Sequence, residues 1–232
     1  MQRMQELEAN LQDVEREISH ACLAANRSRA DVTLIAVTKT WPASDVDLLA
    51  NLGVTNVGEN RDQEAKPKHD DVQAKNLIWH AIGQLQTNKA KSVAAWADVV
   101  HSVDRNDLVM ALIKAVVNRE KPLGVLIQVN LDPNPTENRG GALPSEIMSL
   151  AELISSCDGL QLQGVMGVAP LGGDEDFAFA KLQDVAGQLQ SQYSKANWIS
   201  AGMSGDFATA LKYGATHLRI GSSILGNRGF KG

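Results

Sequence analysis

Apolar residues recur first at Met4, Leu7, Leu11, Val14, Ile18 and Cys22. Steps of three and four put them on one stripe of an amphipathic helix. The stripe predicts an extra helix within residues 1–27 that packs on the rest of the chain, ending near Asn26-Arg27-Ser28. The pattern then changes. Val32-Thr33-Leu34-Ile35-Ala36-Val37-Thr38 is short, apolar and β-branched, the mark of a strand buried on both faces. Pro42 follows, then a helix read as capped by Ser44, with Asp45 and Asp47 in its first turn.

This unit repeats. Strand-like runs begin near residues 32, 54, 76, 98, 123, 161, 197 and 216, with helical patterns over 45–52, 61–74, 86–96, 106–119, 144–156, 175–194 and 205–213. Strands that alternate with helices imply a parallel sheet, because each parallel crossover needs room for a helix. Eight of them without an interdomain linker predict an α/β fold, a single-domain (β/α)8 barrel over residues 1–232; an open doubly wound sheet is the rival. The segment 132–141 holds two prolines and two glycines and reads as a loop.

Composition narrows the function. Lys plus Arg number 22 against 27 Asp plus Glu, and aromatic residues make up 4%, which argues against nucleic-acid and acidic-membrane partners. The first twenty residues are polar and acidic, unlike a secretory signal, and no run is long and apolar enough for a membrane span. Cys22 and Cys157 form no metal or disulfide spacing, which fits a reducing, cytoplasmic setting.

In a parallel barrel, chemistry sits at the C-terminal ends of the strands. The polar residues falling there are Lys39, Asn60, His80, Asp104, Asn130, Ser204, Arg219, Ser222 and Ser223. Lys39 ends the first strand on the face of Ile35 and Val37. An apolar barrel mouth would favour its neutral, nucleophilic amine, the form that makes a Schiff base. A lysine reaching solvent, or paired with an acid such as Glu59, is the structural alternative. Ala201-Gly202-Met203-Ser204-Gly205 and Ile220-Gly221-Ser222-Ser223 each join a strand end to a helix, at the two loops where barrels often hold phosphate. Tight turns alone are the plainer use of those glycines. Arg219 shares a face with His217 and needs an acceptor, either a carboxylate or a ligand ring nitrogen.

Other motifs fall short. Gly221 to Arg228 lacks the Lys-Ser/Thr of a phosphate-binding nucleotide loop, and Gly202 to Asp206 lacks a glycine of a serine-nucleophile elbow. His80, His101 and His217 could converge from different strands, but without ligand spacing no metal is expected.

A lysine at the first strand end with phosphate loops at the last two suggests pyridoxal 5′-phosphate. At these residues the chain resembles the YggS/PROSC group, the pyridoxal phosphate homeostasis proteins. The matching segments are 34–40 (LIAVTKT), 57–64 (VGENRDQE), 78–89 (IWHAIGQLQTNK), 101–105 (HSVDR), 202–206 (GMSGD) and 218–226 (LRIGSSILG). The resemblance implies a fold type III barrel like the N-terminal domain of alanine racemase. It implies that Lys39 forms the internal aldimine and that Ser204, Gly221 and Ser222 surround the phosphate. It further implies Arg219 at the pyridine nitrogen and Asn60 near the ring. The group binds and delivers the cofactor without robust turnover, so acceptor apo-enzymes are implied partners. Ala81 departs from the bulky aromatic often found there, and the 132–141 loop is longer than expected.

Activity can be weighed on the same residues. An arginine opposite the ring nitrogen disfavours a protonated ring and weakens the electron sink. Racemisation needs acid/base groups on both faces of the substrate, and Tyr193 and Tyr213 fall in helical segments. No second domain is expected in 232 residues to supply another. The expectation is a monomeric carrier or regulator of pyridoxal phosphate, with a slow amino-acid racemase as the alternative.

Overall fold

The computed structural model describes residues 2–133 and 140–226. Eight parallel strands close into a barrel in chain order: β1 (Thr33–Val37), β2 (Asn56–Glu59), β3 (Ile78–Ala81), β4 (Val99–Val103), β5 (Leu123–Gln128), β6 (Leu160–Met166), β7 (Trp198–Ser200) and β8 (His217–Ile220). Closure is the β1–β8 pair, which sets Thr33 opposite His217 and Ile35 opposite Arg219. The expected (β/α)8 barrel is therefore observed, and the open-sheet rival is excluded because no edge remains.

Helix α1 (Gln2–Ala24) buries the stripe of Leu7, Val14, Ile18 and Cys22. Then come α2 (Ala43–Asn51), α3 (Asp62–Asp71), α4 (Ala90–Trp96), α5 (Asn106–Ala115), α6 (Ile147–Ser155), α7 (Glu175–Gln192), α8 (Phe207–Lys212) and the short α9 (Ser222–Leu225). Helix α1 packs on α8 and α9. The last carbonyls of so short a helix have no intrahelical partner. Side chains of α1 supply donors: Asn10 to the Ile224 carbonyl at 2.9 Å and Arg3 to the Leu225 carbonyl at 3.0 Å. The N-terminal helix thus holds the element that follows β8.

Several boundaries differ from the periodicity. Helix α2 begins at Ala43 with Pro42 at its N-cap, so Ser44 is not the cap; proline already has the extended backbone and its carbonyl accepts from Asp45 N at 3.1 Å. Asp45 is instead buried, bonded to Arg3 at 2.7 Å. The 61–74 helix stops at Asp71, because Asp47 Oδ1 takes the backbone N–H groups of Gln73 and Ala74 at 2.9 Å each. The segments beginning at 86 and 144 start as 3-10 turns, Thr87–Lys89 and Pro144–Glu146. Residues 134–139 of the long loop lie outside the described residues, as do Asn227 and Arg228.

Most of the apolar core lies between the strands and the surrounding helices, while Val99, Leu126 and Met166 form a small separate cluster with Trp198 packed against it. The barrel interior is not wholly apolar. His80, His101, Ser200 and Arg219 are all buried there, at 5% exposure or less.

Candidate functional site

Lys39, Asn60, Ser204, Arg219, Gly221 and Ser222, drawn from four separate stretches of sequence, line one cavity of about 450 Å³ together with Val37, Ile82, Val168, Met203 and Gly205. Two cationic side chains face it and, among the described residues, no carboxylate does. That charge balance favours an anion.

Lys39 stands two residues beyond β1 and is exposed at the cavity edge. The expected burial of its amine in an apolar mouth is not observed, because the turn carries the side chain past the last strand residue. Nor does Lys39 pair with Glu59. That carboxylate binds Lys68 Nζ at 2.6 Å and accepts from Thr38 Oγ1 at 2.6 Å. Burial pushes the Glu59 carboxyl above its ordinary range, against the pull of Lys68 and Thr38.

Asn60 follows β2 directly. Its backbone is pressed against Gly83, where an added Cβ would lie 2.2 Å from the Asn60 carbonyl oxygen. The glycine of 78–89 therefore sets how close the β3 end comes to the cavity. Gly202 has φ +91° and no room for a side chain, since a Cβ would sit 2.9 Å from Phe207 Cα. This lets the chain turn from β7 into Met203-Ser204-Gly205, while Gly202 O accepts from Arg219 N at 2.9 Å. Among the described residues, the N–H groups of Ser204, Gly205, Ser222 and Ser223 meet no backbone carbonyl. Ser222 Oγ and Ser204 Oγ are 3.3 Å apart. Two loops thus bring unused donors and hydroxyls to one end of the cavity, the arrangement that suits a phosphate.

Arg219 is anchored from beneath. Its Nη2 donates to the Gly167 carbonyl at 2.9 Å and its Nη1 to Ser200 Oγ at 2.7 Å. The partners are a carbonyl and a hydroxyl, so the carboxylate expected as the plainer answer is absent from its bonds. Burial lowers the guanidinium to about 10, so it stays charged at neutral pH.

Below Ser200 runs a chain the sequence did not reveal. His101 Nδ1 lies 2.9 Å from Ser200 Oγ, His101 Nε2 2.9 Å from His80 Nδ1, and His80 Nε2 2.9 Å from Asn56 Oδ1. Asn56 Nδ2 donates to Thr55 Oγ1 at 3.0 Å, which turns its oxygen to His80. His80 Nε2 therefore donates to Asn56. Burial pushes His80 down to about 3 and His101 well below its ordinary value, so both rings are neutral. A neutral ring donates at one nitrogen and accepts at the other. The bonds then run one way: Arg219 to Ser200, Ser200 to His101, His101 to His80, His80 to Asn56. His217 stands apart, stacked on Trp198 with centroids 3.9 Å apart and bonded through Nδ1 to Thr216 at 2.8 Å. The three histidines do not converge, and no group of three His, Cys, Asp or Glu among the described residues could hold a metal. Spacing could not show this chain, because it links side chains of β2, β3 and β4 to those of β7 and β8 across an interior that exists only once the barrel closes.

A barrel whose strand ends gather an amine, an arginine and two phosphate-suited loops belongs with the alanine racemase-like barrels: the model of the alanine racemase N-terminal domain matches residues 5–229. Curated relatives named pyridoxal phosphate homeostasis protein include one from Corynebacterium glutamicum, 40% identical over 88% of this chain and 93% of its own. Another, from Mycobacterium tuberculosis strain H37Rv, is 36% identical over 97% of this chain and 94% of its own. The chain belongs to the pyridoxal phosphate homeostasis protein family. The solved structure of PipY from Synechococcus elongatus with pyridoxal phosphate bound superposes with a TM-score of 0.78 at 30% identity, over 90% of this chain and 100% of that one. Alanine racemase from Corynebacterium glutamicum (TM-score 0.71, 12% identity, 95% of this chain and 60% of that one) shares the fold.

Proposed function

We propose that this protein binds pyridoxal 5′-phosphate at Lys39 and acts in homeostasis of the cofactor, as a carrier or regulator with little or no turnover of amino acids. The observation that carries this reading is one cavity with no carboxylate among its described lining residues, lined at once by a primary amine, a charged guanidinium and N–H groups of two loops that meet no backbone carbonyl among the described residues.

The donor set fits the cofactor's three chemical ends. Ser204, Gly221 and Ser222 would hold the phosphate, Arg219 would donate to the ring nitrogen, Asn60 would lie near the ring, and Lys39 would meet the aldehyde. Bound pyridoxal phosphate supplies an aldehyde carbon to which a primary amine attaches reversibly with loss of water. The chain's own residues do the rest. Arg219, charged and bonded on its far side, can only donate, so it favours a ring nitrogen without a proton. The titratable side chains among the described lining residues are Lys39 and Arg219. Tyr213 Oη donates to Asp176 at 2.8 Å, and Tyr193 lies at the end of α7; neither lines the cavity. A second acid/base group facing Lys39 is missing from that set, which supports binding over turnover.

Cytoplasmic action fits the two unpaired cysteines, Cys22 and Cys157. Among the described residues no helix is long and apolar enough to cross a membrane. The single-domain reading, the monomeric state and acceptor apo-enzymes as partners belong to the same proposal. The buried stripe of α1 supports a monomer, because it is already used within the chain.

The test is borohydride reduction after incubation with pyridoxal phosphate, followed by peptide mass mapping. A single cofactor mass on the peptide containing Lys39 is expected; a tag confined to any other lysine overturns the assignment. Turnover is read separately from exchange of the α-hydrogen of alanine in D₂O. No exchange above that of free pyridoxal phosphate is expected, and fast exchange that depends on Lys39 favours the slow-racemase reading instead.

A further inference from the structure

The bond pattern around Lys39 includes a second lysine that no sequence feature singled out. Lys68, on α3, is 6% exposed, and its three ammonium hydrogens have three acceptors: the Thr38 carbonyl at 2.8 Å, Glu59 Oε1 at 2.6 Å and Glu64 Oε1 at 3.2 Å. Thr38, fully buried, also donates its hydroxyl to Glu59 Oε1 at 2.6 Å. On the other side of Lys39, the backbone N–H of Thr40 donates to Glu64 Oε1. Both backbone neighbours of Lys39 are therefore held by one ion cluster.

The backbone between them is unusual. Thr40 has φ +68°, a left-handed conformation that a β-branched residue avoids. Such a residue persists where its surroundings over-determine it. Here two bonds supply that restraint: Trp41 N to the Thr38 carbonyl at 3.1 Å, which closes a turn with Thr40 at its third position, and Thr40 N to Glu64. The cluster is costly in itself: Glu59 is 1% exposed and its Oε2 is buried without a partner. A turn that needed only stability could use apolar contacts instead, since replacing a buried ion pair by apolar residues is often neutral or stabilising.

We propose that Lys68, with Glu59 and Glu64, is a positioning set for Lys39. It fixes the turn on both sides of the amine-bearing residue, so that the side chain leaves the backbone toward the cavity and not along the outer surface. This deepens the function proposed above and rests on its assignment of Lys39 as the attachment residue. The set acts on the amine end alone. The phosphate end is built from Ser204, Gly221 and Ser222, in the segments that follow β7 and β8, with no bond to the cluster. Attachment and phosphate-end binding should therefore separate.

The test uses the full chain in three variants. Glu64→Ala frees Thr40 N while leaving the Lys68–Glu59 pair. The double variant Lys68→Met with Glu59→Leu removes the buried pair as a unit, so no charge is stranded. Lys68→Arg is the conservative partner. Two quantities are measured on each folded variant: the rate of pyridoxal phosphate attachment, from the growth of the linked cofactor's absorbance, and the affinity for pyridoxine 5′-phosphate, which has the phosphate and ring but no aldehyde. Attachment is expected to slow on the order of tenfold or more in Glu64→Ala and the double variant, with pyridoxine phosphate affinity held within about twofold and partial recovery in Lys68→Arg. An unchanged attachment rate in folded Glu64→Ala and in the double variant overturns the proposal. So does a loss of both quantities in parallel, the mark of a merely structural cluster. The wild-type chain is mapped first with borohydride: a tag away from Lys39 defeats the attachment assignment itself, a different result from a Lys39 tag whose rate ignores α3.

Discussion

Lys39→Ala is expected to abolish the borohydride-stable cofactor tag and the absorbance of the linked cofactor. Lys39 is the lysine that lines the cavity among the described residues, and the nearby Lys68 is engaged by three acceptors and buried. Among the described residues that line the cavity, no second amine stands ready to replace it. The phosphate end survives the substitution, so binding falls without vanishing. An affinity loss on the order of a hundredfold, about 2.7 kcal/mol, is expected for pyridoxal phosphate. Pyridoxine 5′-phosphate, which cannot attach, should lose far less. Lys39→Arg separates charge from chemistry: it keeps a cation at the edge yet cannot attach, and should behave like alanine in the tag and absorbance readouts. A Lys39→Ala chain that keeps both would show that the amine lies elsewhere.

The second large effect is loss of stability in mild acid. His80 is held near 3 and His217 near 4 by burial, and His101 is lowered as well. The unfolded chain therefore binds protons that the folded chain excludes as pH falls below about 6.5. By linkage, stability is fully present above that value and drops as the pH is lowered toward the folded pKa values. His80 alone accounts for about 2 kcal/mol between pH 7.5 and 5, from its shift and 1.36 kcal/mol per unit. The structural reason is the direction of the chain beneath Arg219. A proton added to His80 makes Nδ1 a donor facing the donor on His101 Nε2, so the bond is replaced by a clash of hydrogens. Glu59 works in the opposite sense and offsets part of the loss near the carboxylate range, since burial makes the folded state hold its proton more tightly. Urea unfolding measured at intervals from pH 7.5 to 5 checks this. A midpoint that does not move over that window would mean the histidines are not buried as neutral rings.

These two effects divide along a line that runs through the whole molecule. The residue behind the first was legible in the chain: a lysine at the end of the first β-branched run, with glycine-serine turns after the seventh and eighth, is a linear pattern. The eight strand positions were legible for the same reason, because burial on both faces leaves a continuous apolar run. Helix ends were less so. Asp47 stops α3 from across the α2–α3 interface, and local periodicity carries no trace of such a partner.

The residues behind the second effect were legible only as positions. His80, His101 and His217 read as strand-end histidines with no metal expected, but nothing in the chain showed that two of them form a line and that the third stacks on Trp198. Glu59 suggested a partner for Lys39, and Lys68 took it. Lys68 lies in a helix whose ten residues are mostly polar and charged, where the only available signal was its spacing of four from Glu64, a spacing common on exposed helices.

By itself, then, the order of apolar runs determined a parallel barrel and brought Lys39, Asn60, Ser204, Arg219, Gly221 and Ser222 to one cavity at its open end, though not His80, which lies buried beneath, because strand period and parallel crossover leave few other ways to bury that surface. Only the tertiary structure decided the pairing of the buried polar groups: which acid meets which lysine, which way the histidine chain points, and what holds Arg219. Those choices depend on contacts between strands and helices distant in sequence, where each buried donor must find an acceptor once water is gone.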